Sequence, residues 1–171
     1  MLKIEVLSQE HNRESFDCGT DELNQYLRHI VWQHLNKGMS RTFVLIDDTR
    51  PTEILGFFTL ASCEIRADKL PCTYAKKYPS ITPVAKLARL AVARKRQRQG
   101  LGTHMMINTI ERIITVSENL GIIGFFVDAK NRDVKAYYEQ FGFIPLPDNQ
   151  LKLFLPLATL RQAYEVILKG T

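Results

Sequence analysis

No stretch of the 171 residues reaches the apolar length of a membrane span, and the opening Met1-Leu2-Lys3-Ile4-Glu5 lacks the uninterrupted hydrophobicity of a secretory leader. Both absences point to a cytoplasmic protein with no membrane among its partners. Cysteine is scarce: Cys18, Cys63 and Cys72 are odd in number and fit neither a CxxC pair nor a zinc-ligand spacing. Free thiols filling core or surface are therefore expected, and no metal site. The glycines at 100 and 102 are not followed by Gly-Lys-Ser/Thr, which excludes a Walker A loop, and their spacing excludes GxGxxG. Internal repeats and low-complexity tracts are missing as well.

What is present is enough apolar surface for one core. At 45% hydrophobic and 24% charged residues, with Leu, Ile, Val and Phe spread along the whole length, order is expected nearly end to end. The length suits a single domain over residues 1–171. A formal charge of +5 favours polyanionic partners, because Lys and Arg supply the sequence-independent part of phosphate binding.

Residues 2–7 read as a first strand. Gly19-Thr20-Asp21 offers a turn and helix start ahead of Leu23, Leu27, Ile30, Val31 and Leu35, an amphipathic spacing closed by Gly38. Residues 41–46 and 54–65 alternate as two strands around a turn and form a hairpin. Residues 66–83 hold Pro71, Pro79 and Pro83 and no sustained period, so they read as a loop or broken helix. A strand is expected over 84–93, a helix from Leu101 to Gly121, a strand over 122–127, a helix over 131–141, β structure at 143–144 and 151–155, and a closing helix over 158–168. The order is that of an α/β protein with a sheet covered by helices.

Between the strand at 84–93 and the helix at 101 lies Gln97-Arg98-Gln99-Gly100-Leu101-Gly102-Thr103. A helix start exposes unpaired backbone N–H groups and the positive end of the helix dipole, so a turn feeding into one is an anion site. Gly100 and Gly102 carry no Cβ and accept positive φ, which lets successive amides point at one diphosphate. Arg94, Lys95, Arg96 and Arg98 add cations nearby.

Leu87-Ala88-Arg89-Leu90-Ala91-Val92 followed by Gln97-Arg98-Gln99-Gly100-Leu101-Gly102 resembles the strand and R/Q-x-x-G-x-G/A signature of GNAT acetyltransferases. Asn131 and Tyr137-Tyr138-Glu139-Gln140-Phe141-Gly142-Phe143 resemble the second half of that signature. The resemblance implies a mixed central sheet with helices on both faces and a splayed strand pair, 84–93 and 122–127, holding acetyl-CoA. Pantetheine would pair with the backbone at Leu90, Ala91 and Val92, the diphosphate would sit on the amides of Gln97, Arg98, Gln99, Gly100, Leu101, Gly102 and Thr103, and Asn131 would touch the pantetheine arm. A helix N-cap is an equally good local role for Asn131.

In the family a tyrosine at the position of Tyr138 stands near the sulfur, where its hydroxyl can give a proton to the leaving thiolate. With reference pKa values of about 8.5 for a thiol and about 10 for tyrosine, that transfer is uphill by roughly 2 kcal/mol. Tyr137 stands where Phe is expected and reads as core. None of His11, His29, His34 or His104 presents itself as a general base, and a solvated or packed role fits each. An α-amine of pKa about 7.7 to 8.0 needs no strong base, whereas a lysine amine near 10.4 does, so the acceptor reads as an α-amine.

Phe16-Asp17-Cys18-Gly19, Leu23-Asn24, Tyr26-Leu27, Asn36, Arg41-Thr42-Phe43-Val44 and Gly56-Phe57-Phe58-Thr59-Leu60 extend the likeness to the tRNA-acetylating GNAT toxins of bacterial toxin-antitoxin pairs. That resemblance implies acetylation of the free α-amine of charged tRNA, arrest of translation, a ribbon-helix-helix antitoxin and a homodimer. Candidate tRNA contacts are Arg28, Lys37, Arg41, Lys76, Lys77, Arg89, Arg94, Lys95 and Arg96. An acetyltransferase of small-molecule or protein amines, or an acetyl-CoA-binding module without turnover, would carry the same turn. Tyr137 in place of Phe, and Lys86 inside the central strand, depart from the family pattern.

Overall fold

A computed structural model of the chain describes residues 1–169. Its strands are β1 (Leu2–Val6), β2 (Arg41–Asp47), β3 (Gly56–Arg66), β4 (Ile81–Val92), β5 (Gly124–Asp128), β6 (Ile144–Leu146) and β7 (Asn149–Pro156). They form one mixed sheet in the order β1-β2-β3-β4-β5-β7-β6. Helices are α1 (Asp21–Gln25), α2 (Val31–Asn36), α3 (Cys72–Ala75), α4 (Leu101–Asn119), α5 (Arg132–Glu139) and α6 (Leu157–Lys169). Among the described residues no helix is long and apolar enough to cross a membrane.

The chain folds as two compact units. The first comprises Met1–Ala61 with Ala88–Asn108, the second Ser62–Leu87 with the chain from Thr109 onward. In the first, β1, β2 and β3 are antiparallel neighbours, and five consecutive residues of β2, from Thr42 to Ile46, are buried. A strand buried on alternate residues has one wet face; burial without a break means that both faces are covered. The polar exception is satisfied across the ladder, where the Thr42 and Thr59 hydroxyls share a hydrogen bond of 2.7 Å. Phe57 is fully buried and takes the edge of Phe16 at 5.5 Å between ring centroids.

The amphipathic stretch after Thr20 is helical, but Tyr26–Ile30 forms a π turn between α1 and α2, in which the Val31 amide reaches back five residues to the Tyr26 carbonyl. An i→i+5 bond inserts one residue and rotates the following face. Tyr26, Leu27 and Val31 therefore face the core while Ile30, expected inside, is 38% exposed.

In the second unit β4 and β5 run parallel, with register from Ala85↔Phe125 to Leu87↔Val127, and β7 pairs antiparallel with β5 and with β6. Successive β5 residues point to opposite faces. On one face Phe154, opposite Phe126 in register, meets the ring of Tyr74 from α3; on the other, Phe125 meets Phe143, which packs on Tyr138 of α5. Helices thus cover both faces here. The proline-bearing stretch 66–83 is a broken helix, with a 3₁₀ turn at Ala67–Lys69 and the short α3, and β4 begins at Ile81, three residues before the expected start.

Gly124 pairs with Pro156 where β5 meets β7, and a Cβ there would run into the Leu155 carbonyl oxygen and the Phe154 ring. Backbone cannot give way as a flexible side chain can, so Gly124→Ala should destabilise the fold by about 1–3 kcal/mol, the usual cost of overpacking, measured by urea denaturation.

Candidate active site

In the first unit β4 ends at Val92 and the chain turns through a 3₁₀ segment, Arg94–Arg96, into residues 97–100 and the start of α4. Arg98 at φ 63° and Gly100 at φ 79° both occupy the left-handed region, which an arginine adopts only when its surroundings impose it. Outside the helices and strands, the backbone–backbone hydrogen bonds among the described residues include none donated by residues 97–102. Amide donors at the start of a 19-residue helix are the type of group that takes an anion. The space over Gly100 is open, with no atom within 4 Å of where a Cβ would lie.

The Gln97 side chain anchors this turn, since its Nε2 donates to the Val92 carbonyl at 2.9 Å and the Cys18 carbonyl at 2.8 Å. Ala91 is buried, and Leu90 and Val92 are half-buried at the end of β4. Leu101 is buried, while Arg98, Gln99, Gly100 and Thr103 are exposed.

In the second unit Asn131 caps α5: its Oδ1 accepts from the Val134 amide at 3.0 Å. The local cap role is therefore filled, and the side-chain NH₂ stays available. Two turns after the cap, Tyr138 is 6% exposed, its ring 5.6 Å from Tyr137 and 5.6 Å from Phe143. Burial was expected for Tyr137, but Tyr138 lies deeper, and the half-buried Tyr137 packs on Phe141 at 5.3 Å. Gly142 at φ 98° ends the segment. Burial, and secondarily Tyr137, pushes the Tyr138 hydroxyl well above the ordinary phenol value. The group therefore stays protonated at every working pH, and it gives up its proton only while a new negative charge develops beside it.

The nine candidate cations divide by exposure. Lys37, Arg41, Arg94 and Lys95 in the first unit and Lys76 and Lys77 in the second are exposed. Arg28 is held by the Phe16 carbonyl at 2.6 Å, with its Nε buried and unpartnered. Arg89 lies 4.6 Å above the Tyr26 ring and donates to the Ala88 carbonyl, and Arg96 is half-buried. The buried His11 accepts the Ser8 amide at Nδ1 and holds Glu5 at 2.7 Å through Nε2, a packed histidine. Lys86, the departure inside β4, pairs with Asp128 at 3.2 Å along a cavity of about 510 Å³ in the second unit. What the sequence pattern did not expose is the support of the turn: Asp17 and Asn24 organise the loop whose carbonyls reach Arg94 and Gln97.

The sequence profile described as Acetyltransferase (GNAT) family matches residues 4–143. A protein of Mycobacterium tuberculosis named tRNA-acetylating toxin is 33% identical over 147 residues, which is 86% of this chain and 87% of that protein. The solved structure of AtaT complexed with acetyl-methionyl-tRNAfMet is 33% identical, with 96% of this chain and 99% of that one covered and a TM-score of 0.86. A mutant AtaT toxin bound to the C-terminus of the antitoxin AtaR and acetyl-CoA is 30% identical, with 96% and 99% covered and a TM-score of 0.79.

Proposed function

The chain belongs to the Acetyltransferase (GNAT) family, and from that premise we propose that it moves the acetyl group of acetyl-CoA to the free α-amine of an aminoacyl-tRNA, and so blocks translation. The family profile reaches into both units, which supports one acetyltransferase domain over residues 1–171. The tRNA-acetylating name of the mycobacterial relative and the tRNA-bound state of AtaT support the acceptor. The observation that carries the co-substrate is the run of amides at residues 97–102 that opens α4, with Arg98 and Gly100 both at positive φ.

These amides, with that of Thr103, hold the diphosphate of acetyl-CoA, and the backbone of Leu90, Ala91 and Val92 and the free amide end of Asn131 hold its pantetheine arm. Bound acetyl-CoA supplies an activated thioester carbonyl and a thiol leaving group. The hydroxyl of Tyr138, protonated throughout because of its burial, gives its proton as the sulfur takes up charge. An α-amine at pKa about 7.7 to 8.0 reaches the reaction partly neutral, so water suffices to take its proton and no histidine is called on.

The exposed Lys37, Arg41, Lys76, Lys77, Arg94 and Lys95 contact tRNA phosphates, which position the acceptor without naming it. Arg28, Arg89 and Arg96 sit deeper and act mainly through the fold. A ribbon-helix-helix antitoxin and a second copy of the chain complete the set of partners, and the cytoplasm is where charged tRNA and acetyl-CoA meet. The antitoxin-bound AtaT supports the first of these partners in kind.

Incubation with labelled acetyl-CoA and total tRNA, charged or deacylated, tests the acceptor. Label should enter charged tRNA only, and be lost when the aminoacyl ester is hydrolysed. Turnover on free amines with none on charged tRNA would overturn the reading.

A further inference from the structure

We propose that Asn24 is a positioning residue for the diphosphate-binding turn, acting through Asp17 and Cys18 without touching either substrate; the inference rests on the reading of residues 97–102 as a diphosphate site. Asn24 is 6% exposed in α1, where a buried amide is costly unless both of its ends are bonded. Both are. Its Oδ1 accepts from the Cys18 amide at 2.9 Å, and its Nδ2 donates to Asp17 Oδ1 at 3.0 Å. Asp17 Oδ1 also takes the Gly19 amide at 2.8 Å, and these two bonds, the Gly19 one first, hold the carboxyl below the ordinary aspartate value.

The consequence is a loop with its carbonyls turned outward. The Asp17 carbonyl accepts from the Arg94 amide at 2.7 Å, and the Cys18 carbonyl accepts from Gln97 Nε2 at 2.8 Å. The two contacts bracket the 3₁₀ segment that leads into these amides. Gly19 stands at φ 85°, and a Cβ there would lie 3.2 Å from the Arg94 guanidinium, so the close approach of loop and turn needs glycine as well. Donors preset on an anion lose their grip when displaced by a fraction of an ångström, which is why a residue two bonds away can govern affinity.

Asn24→Asp keeps the volume and the acceptor for Cys18 but sets a second carboxylate against Asp17. We expect kcat/KM for acetyl-CoA to fall by about tenfold or more, through KM, with kcat within about twofold. S-acetylpantetheine, which has no diphosphate, should react as it does with the unaltered chain. The reciprocal pair Asp17→Asn with Asn24→Asp restores a donor opposite an acceptor and should recover most of the loss, and Gly19→Ala should repeat the single-variant pattern if Asn24→Asp folds poorly. An equal loss for both thioesters, or no loss for either, would overturn the inference. If the unaltered chain itself showed no preference for acetyl-CoA over S-acetylpantetheine, the diphosphate reading would fail first; a preference that survives Asn24→Asp sinks the inference alone.

Discussion

Replacing Tyr138 with phenylalanine should lower kcat by about 10²- to 10⁴-fold, the range for loss of a general acid, and leave acetyl-CoA affinity within about twofold. That loss corresponds to about 3–5.5 kcal/mol of barrier. The fold should be unharmed, because the ring keeps its contacts with Phe143 and Tyr137. Burial raises the hydroxyl above the value used in the reference comparison, so complete transfer to a free thiolate is steeper than roughly 2 kcal/mol uphill. The proposed mechanism therefore requires the proton to move with the breaking C–S bond. Rapid-quench single-turnover kinetics on charged tRNA would show the defect in the chemical step; an unchanged rate would remove Tyr138 from the mechanism.

Gly100→Val is expected to weaken acetyl-CoA binding by about 100-fold or more while lowering the melting temperature by about 5–10 °C without unfolding the protein. The residue stands at φ 79°, which costs an L side chain roughly 1–2 kcal/mol, and more for a β-branched one. No atom lies within 4 Å of the new Cβ, so there is no packing clash to unfold the protein. The penalty instead falls on the ligand: the added methyl groups occupy the open side of the amide array, where the diphosphate has to approach. Equilibrium dialysis with labelled acetyl-CoA reads the change directly. Unaltered affinity would mean that the anion sits elsewhere.

The turn was legible in the sequence because its physics is local: a strand, glycines at 100 and 102 and a helix start lie within a dozen residues. The proposed role of Tyr138 rests on its distance from Gly142, whereas its depth was not legible, since which of two adjacent aromatics faces inward depends on how α5 is rotated over Phe143. The π turn at Tyr26–Ile30 escaped because a 3.6-residue period assumes uninterrupted α geometry, and Ile30 was placed inside on that assumption. The brace from Asp17 and Asn24 was the least accessible part. Gln97 meets Cys18 across 79 residues of chain, and no local spacing records such a contact. Lys86 is paired by Asp128 on the neighbouring strand and Arg28 is tied to the Phe16 carbonyl, and neither partner is near in sequence.

The proposed activity requires the backbone donors at the head of α4 to grip a diphosphate. Isothermal titration of the purified chain with coenzyme A tests it in one series run at increasing salt. One molecule should bind per chain, with affinity that falls as salt screens the negative charge. Absence of binding heat, or an affinity indifferent to salt, would contradict it.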